Sequence, residues 1–144
     1  MYEQAFKKLF SDYSLSFLNP DDIKILPINT DILVCGGGEI LNDYFIDKII
    51  TIIDKSNYTG TVVGISVGIA FDSIVPTGKL DIFDMIIVRN QTDKVLLQSR
   101  LGTPHIYCLP DLIFFSQLIP AVEKRPHLSG VNLGICLSRS IYTL

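Results

Sequence analysis

Asp31-Ile32-Leu33-Val34-Cys35-Gly36-Gly37-Gly38-Glu39-Ile40-Leu41-Asn42-Asp43 is the stretch that decides the fold. Four consecutive apolar residues, Ile32 to Cys35, suit a strand buried on both faces, as in a parallel sheet. Three glycines at its carboxyl end permit backbone angles closed to other residues and let a ligand approach the main chain. A helical pattern follows, so free N–H groups point back at the turn and favour an anion there. Strand, glycine turn and helix form the corner at which open α/β sheets hold ligands. Gly36, Gly37, Gly38, Glu39 and Asp43 are therefore candidate binding residues. The plain alternative is a tight strand-to-helix turn that holds nothing.

Spacing excludes the familiar versions of that corner. A dinucleotide fingerprint needs a third glycine three residues after Gly38, where Leu41 stands. A phosphate loop needs Gly-Lys-Ser/Thr, but Gly78-Lys79 is followed by Leu80. No cofactor is expected. Cys35, Cys108 and Cys136 are widely spaced with no Cys-x-x-Cys pairing, which supports neither a metal nor a disulfide framework. They read as buried free thiols in a reducing compartment.

With 144 residues the chain suits one domain with a full core. Hydrophobic residues make up 48% of it and the mean hydropathy is +0.39, which is oily for a small domain. The apolar run from Ile46 to Ile53 is cut by Asp47, Lys48 and Thr51, so no membrane span is expected. Met1 to Asp12 is charged and amphipathic, without the apolar core of a signal peptide. These features predict a cytoplasmic α/β domain whose excess apolar surface meets a companion polypeptide or a second copy in a homo-oligomer. A net charge of −3 without a basic stripe argues against nucleic acid as a partner.

Outward from the glycine stretch, Tyr2 to Asp12 reads as a helix and Leu15 to Leu18 as a short strand. Asn42 to Lys55 is a long helix with Phe45, Ile46, Ile49, Ile50 and Ile53 on its buried side. Strands follow at Thr61–Ser66, Met85–Val88 and Ile106–Leu109, with a helix from Asn90, a cap, to about Leu101. Asp93, three residues after Asn90, makes a weak capping box. A short helix is predicted over Leu112 to Ile119, a linker over Pro120 to Gly130 and a strand over Val131 to Leu137. Alternating strands and helices imply a parallel sheet covered on both faces. Residues 1–130 are thus expected to form a three-layer Rossmann-like domain, and residues 131–144 an extra edge strand or the start of a second domain.

In chain order, Val34-Cys35-Gly36-Gly37-Gly38-Glu39, Gly64-Ile65-Ser66-Val67-Gly68, Ile87-Val88-Arg89-Asn90, Leu109-Pro110-Asp111 and Gly134-Ile135-Cys136-Leu137-Ser138-Arg139 resemble the polysaccharide pyruvyl transferase family. The resemblance covers residues 31 to 139 and corresponds to the first half of a member. It implies two Rossmann-like domains facing each other, as in GT-B glycosyltransferases. It also implies transfer of a pyruvyl group from phosphoenolpyruvate to a glycan sugar, as a ketal, in polysaccharide biosynthesis. On that footing Gly68, Arg89 and Arg139 join the glycine stretch as substrate-binding candidates, the arginines matching carboxylate or phosphate with their planar forks. A solvated loop arginine, or for Arg89 a clamp on a helix end, is the alternative. The chain departs from the family in lacking an opening strand with an Asn-x-Gly-Asp-type loop. The Arg-His pair of the second domain is also unmatched: His105 and His127 are predicted in loops. No catalytic residue is assigned, and the isolated chain is expected not to transfer pyruvate.

Two other readings stay open. Gly64-Ile65-Ser66-Val67-Gly68 fits the Gly-x-Ser-x-Gly elbow of α/β-hydrolases, with Asp111 and His127 following in the right order. An elbow needs a helix directly after the serine, whereas the sequence there reads as a loop. The third reading is a non-catalytic remnant that binds a sugar, a phosphate or another polypeptide.

Overall fold

A computed structural model describes residues 2–19, 21–22, 25–70, 77–101 and 105–112. The elements in order are α1 (Tyr2–Leu9), β1 (Ile32–Gly38), α2 (Asp43–Lys55), β2 (Thr61–Val67), a 3-10 helix (Thr77–Ile82), β3 (Met85–Val88), α3 (Gln91–Arg100) and β4 (His105–Cys108). The four strands form one wholly parallel sheet in the order β1-β2-β3-β4. The fold is therefore α/β with a Rossmann-like parallel sheet.

Strand alternation sorts the side chains into two faces. Leu33 and Cys35 of β1 share a face with Val62 of β2, Ile86 and Val88 of β3, and Ile106 and Cys108 of β4. All of them belong to, or pack against, one core cluster with Ile46 and Ile49 of α2, Leu80 and Phe83 around the 3-10 helix, and Leu97 of α3. α2, the 3-10 helix and α3 thus pack on the same side of the sheet. Each fully buried Leu or Ile there contributes about 1.5–3 kcal/mol.

α2 forms where the apolar spacing predicts it. Asn42 caps it, its side-chain oxygen accepting the Phe45 N–H at 3.2 Å, and Asp43 and Lys55 match the helix dipole at the two ends. α1 lies on the opposite face: a Cβ built on Gly36 would stand 3.1 Å from Cζ of Phe6. Helices on both faces are present, but unequally. Among the described residues α1 is the only helix on its side, and Ile32 and Val34 remain 52% and 39% exposed there. The expectation that Ile32–Cys35 is buried on both faces is corrected accordingly: among the described residues β1 is an edge strand, and only its Leu33–Cys35 side meets the core.

Other boundaries shift for identifiable reasons. β1 continues to Gly38 because Gly36 and Gly38 keep pairing with Ile65 and Val67 of β2. α1 stops at Leu9 and passes into turns. Leu15–Leu18 forms no strand; Phe17 instead lies under the Lys7 ammonium, 5.4 Å from its ring centre. Leu80 to Ile82 closes the 3-10 helix. His105 is the first residue of β4, paired with Met85, and not a loop residue. The helix, linker and strand predicted beyond Leu112, with the boundary at 130/131, lie outside the described residues. Among the described residues, no helix is long and apolar enough to cross a membrane.

Candidate functional site

The carboxyl ends of the strands carry the candidate residues because a parallel sheet delivers every strand end to one edge. There the loops after β1 and β2 are laced together. Gly68 N–H donates to the Gly38 carbonyl at 2.9 Å, and Leu41 N–H to the Gly68 carbonyl at 3.2 Å. Gly37 and Gly38 have φ of 76° and 113°, the region closed to other residues. A Cβ on Gly38 would meet nothing within 4 Å, so the backbone angle and not crowding requires glycine, and the space above it is open. Gly36 plays a different part from its neighbours, making room for Phe6.

Ser66 sits at an irregularity in β2, between Ile65 and Val67, with φ of 58°. Its buried hydroxyl donates to Asp111 Oδ1 at 2.8 Å and accepts the Leu112 N–H at 2.9 Å. Asp111 Oδ2 faces Arg89 Nη1 at 3.4 Å. The segment after β4 is thereby drawn back across the edge to β2. Arg89 in turn lies close over Gly68, where an added Cβ would stand 2.8 Å from Nη2. Glycine at 68 leaves the room that the guanidinium occupies.

Asn90 and Asp93 lock the neighbouring corner. Asn90 Oδ1 accepts the Asp93 N–H at 2.7 Å, as a cap should. The buried Asp93 carboxylate, however, accepts from Asn90 Nδ2 at 2.9 Å and from the Ile69 N–H at 3.2 Å. It therefore fastens α3 to the loop after β2, a role beyond the capping box that its spacing suggests.

The structure thus gathers Gly36, Gly37, Gly38, Gly68 and Arg89 on one edge, and adds Ser66, Asp93 and Asp111. Glu39 follows directly, and among the described residues its carboxylate pairs with nothing. Asp43 is drawn away: Lys79 Nζ lies 2.7 Å from its carboxylate and 2.7 Å from that of Asp47. Nothing in the motif pattern pointed to Lys79, because the partner comes from the 3-10 helix. His105 sits at the amino end of β4, across the sheet from the site. Arg139 and His127 lie outside the described residues.

The described edge carries the carboxylates of Glu39, Asp93 and Asp111 against the one guanidinium of Arg89, an excess of negative charge. Burial pushes the thiol of Cys35, one residue before the glycine run, up to about 12, which disfavours the nucleophilic thiolate. Ser66 already gives and receives hydrogen bonds, and the described residues that follow β2, Gly68 to Ala70, are not helical. Among the described residues no group of histidines, cysteines and carboxylates could hold a metal ion. Comparison with protein families, curated proteins and solved structures returns no match.

Proposed function

We propose that this chain is a polysaccharide pyruvyl transferase-like domain whose carboxyl edge binds the sugar of a glycan acceptor. The observation that supports this reading most is the convergence of motif pieces far apart in sequence, Gly36–Gly38, Gly68, Arg89 and Asp111, on one sheet edge. The excess of carboxylate favours a hydroxyl-rich neutral ligand over a bare phosphate, which like charges repel. Glu39, next to Gly38 in the chain, would accept hydrogen bonds from sugar hydroxyls. Arg89 is already matched by Asp111, so phosphoenolpyruvate would depend on further cations such as Arg139. Ketal formation also needs an acid–base group opposed to the sugar, the role the resemblance gives to a second domain.

Calorimetric titration with galactose, mannose and phosphoenolpyruvate tests this. Sugar should bind to wild type and weaken roughly tenfold in Glu39→Gln, the worth of one good hydrogen bond to a charged group. Gly38→Val should abolish sugar binding, because valine cannot hold that φ. A wild type that binds neither sugar, or sugar affinity indifferent to both substitutions, overturns the proposal.

A non-catalytic sugar-binding domain is the second reading. It is favoured by the closure of Ser66 and Arg89 on Asp111, which engages these three side chains with one another. Sugar binding without ketal product from phosphoenolpyruvate, in the presence of the complete acceptor, would select it. The Gly-x-Ser-x-Gly hydrolase reading draws no comparable support from the double hydrogen bonding of Ser66.

A further inference from the structure

Arg89 follows β3 with its backbone pinned and its side chain underused. Its N–H donates to the Val67 carbonyl at 3.3 Å, and beside it the Leu109 N–H donates to the Val88 carbonyl at 3.1 Å. A guanidinium offers five N–H donors in a planar fork. Among the described residues only Nη1 has a partner, Asp111 Oδ2, and that contact is long at 3.4 Å. A well-matched arginine–carboxylate pair uses two arms, each about 2.7–2.9 Å long. Nε and Nη2 lie beside Gly68, where an added Cβ would stand 3.5 and 2.8 Å from them, so no side chain covers that flank. Solvent reaches the pair, the Arg89 side chain being 27% exposed and that of Asp111 18%.

Asp111 is aimed from its other side. Its Oδ1 accepts from Ser66 at 2.8 Å, which leaves Oδ2 to meet Arg89. The carboxylate comes from the segment after β4, on the sheet edge where open α/β sheets hold ligands. A loop carboxylate over an edge arginine stands where an oxyanion of a ligand would stand.

We propose that Arg89 is an oxyanion site that Asp111 fills from within the chain. A small carboxylate or phosphate competes with Asp111 Oδ2 for the guanidinium and, unlike Asp111, can engage two arms of the fork. Its entry loosens Asp111, and with it the bond from the Leu112 N–H to Ser66. The carboxylate of Asp93 does not share this role, because it accepts from Asn90 Nδ2 and from the Ile69 N–H and stays with α3. Together Asp93 and Asp111 keep anion affinity low while the clasp is closed. The inference stands on the geometry of Arg89 and Asp111 and holds whether or not the edge takes a sugar.

Acetate, inorganic phosphate and phosphoenolpyruvate are titrated into the full chain while the Arg89 Nε–H and Leu112 amide resonances are followed. Asp111→Asn is the decisive variant, since an amide oxygen can still accept from Ser66 while the negative charge beside Arg89 is gone. Its anion affinity should exceed that of wild type by about fivefold, the worth of a partly exposed ion pair, and adding Arg89→Gln should cancel the gain. In wild type, added anion should speed exchange of the Leu112 amide. Acetate and phosphate acting alike would support a general oxyanion site, and preference for phosphoenolpyruvate one that takes its carboxylate and phosphate together. Equal affinity in wild type and Asp111→Asn, a gain that survives Arg89→Gln, or no saturable shift in either chain overturns the inference. Should Asp111→Asn not fold, wild type decides: an Arg89 resonance that saturates while Leu112 exchange stays constant overturns it as well.

Discussion

Ser66 and Asp111, 45 residues apart, meet at 2.8 Å and bind the loop after β4 to the kink in β2. The bond is half of a clasp whose other half is the Leu112 N–H on the same hydroxyl. Both halves depend on the left-handed backbone at Ser66, which turns the hydroxyl toward the returning chain.

Ser66→Ala removes the acceptor of the Leu112 N–H and a donor to Asp111 together. Urea denaturation should show a loss of about 1–3 kcal/mol, the cost of leaving buried polar groups unpaired. A midpoint equal to that of wild type would mean that the clasp contributes nothing.

Gly60 sits where a Cβ would stand 2.6 Å from the Asp31 carbonyl and 2.5 Å from the Tyr58 hydroxyl. That hydroxyl is itself fixed, its one proton shared between the carbonyls of Asp31 and Thr61 at 2.9 and 2.8 Å. Neither neighbour can yield cheaply, so Gly60→Ala should destabilise by more than about 2 kcal/mol. Gly78→Ala, where a Cβ meets nothing within 4 Å, should stay within about 0.5 kcal/mol. Equal thermal midpoints for the two variants would contradict this.

Gly68→Ala pushes on the Arg89 guanidinium, a side chain that can swing aside, so the fold should survive. Its cost should shrink by about 1 kcal/mol in an Arg89→Ala background, because the methyl then displaces no ion pair. Strict additivity in this double-mutant cycle would show that Arg89 does not depend on the space above Gly68.

Cys35 should resist thiol reagents at pH 8 in the folded chain and react on unfolding. Burial raises its folded value from 9.0 to about 12, so the folded state holds the proton more tightly than the unfolded state. Between those values the unfolded thiol ionises first. Its stabilising contribution is intact below pH 9 and is lost as pH rises toward 12. Lys48, hydrogen-bonded to Asp21 and Tyr44, and Lys79, hydrogen-bonded to Asp43 and Asp47, are shifted upward too and add to the alkaline loss. Cys35→Ala should flatten the fall in stability measured across this window; an unchanged slope would assign it to the other groups.

Much of the scaffold was legible because it rests on local rules. The Ile46, Ile49, Ile50 and Ile53 spacing marks α2, the β-branched run marks β2, and Asn42 and Asn90 announce their helices. The site was legible only as a location. Gly36–Gly38 read alike in sequence, yet Gly36 clears Phe6 while Gly37 and Gly38 carry the unusual backbone angles. Asp43 looked like a ligand for the corner until Lys79, contributed by a distant 3-10 helix, claimed it. The clasp of Ser66 by Asp111 could not be foreseen from either residue's neighbours, since its geometry arises from a kink in β2. Burial of one face only escaped the pattern because four apolar residues in a row look the same on an edge strand as in the middle of a sheet.

The sequential strand order has a kinetic consequence. Among the described strands each pairs with the one just before it in the chain, so each of these pairings closes a short loop, and the entropy of closure stays small at every step. The sheet can therefore grow outward from β1 and β2 as a succession of local events. The Ser66–Asp111 clasp spans two strands and waits for β4, which makes it a late step. Ser66→Ala should accordingly speed unfolding while leaving the refolding rate nearly unchanged in stopped-flow measurements.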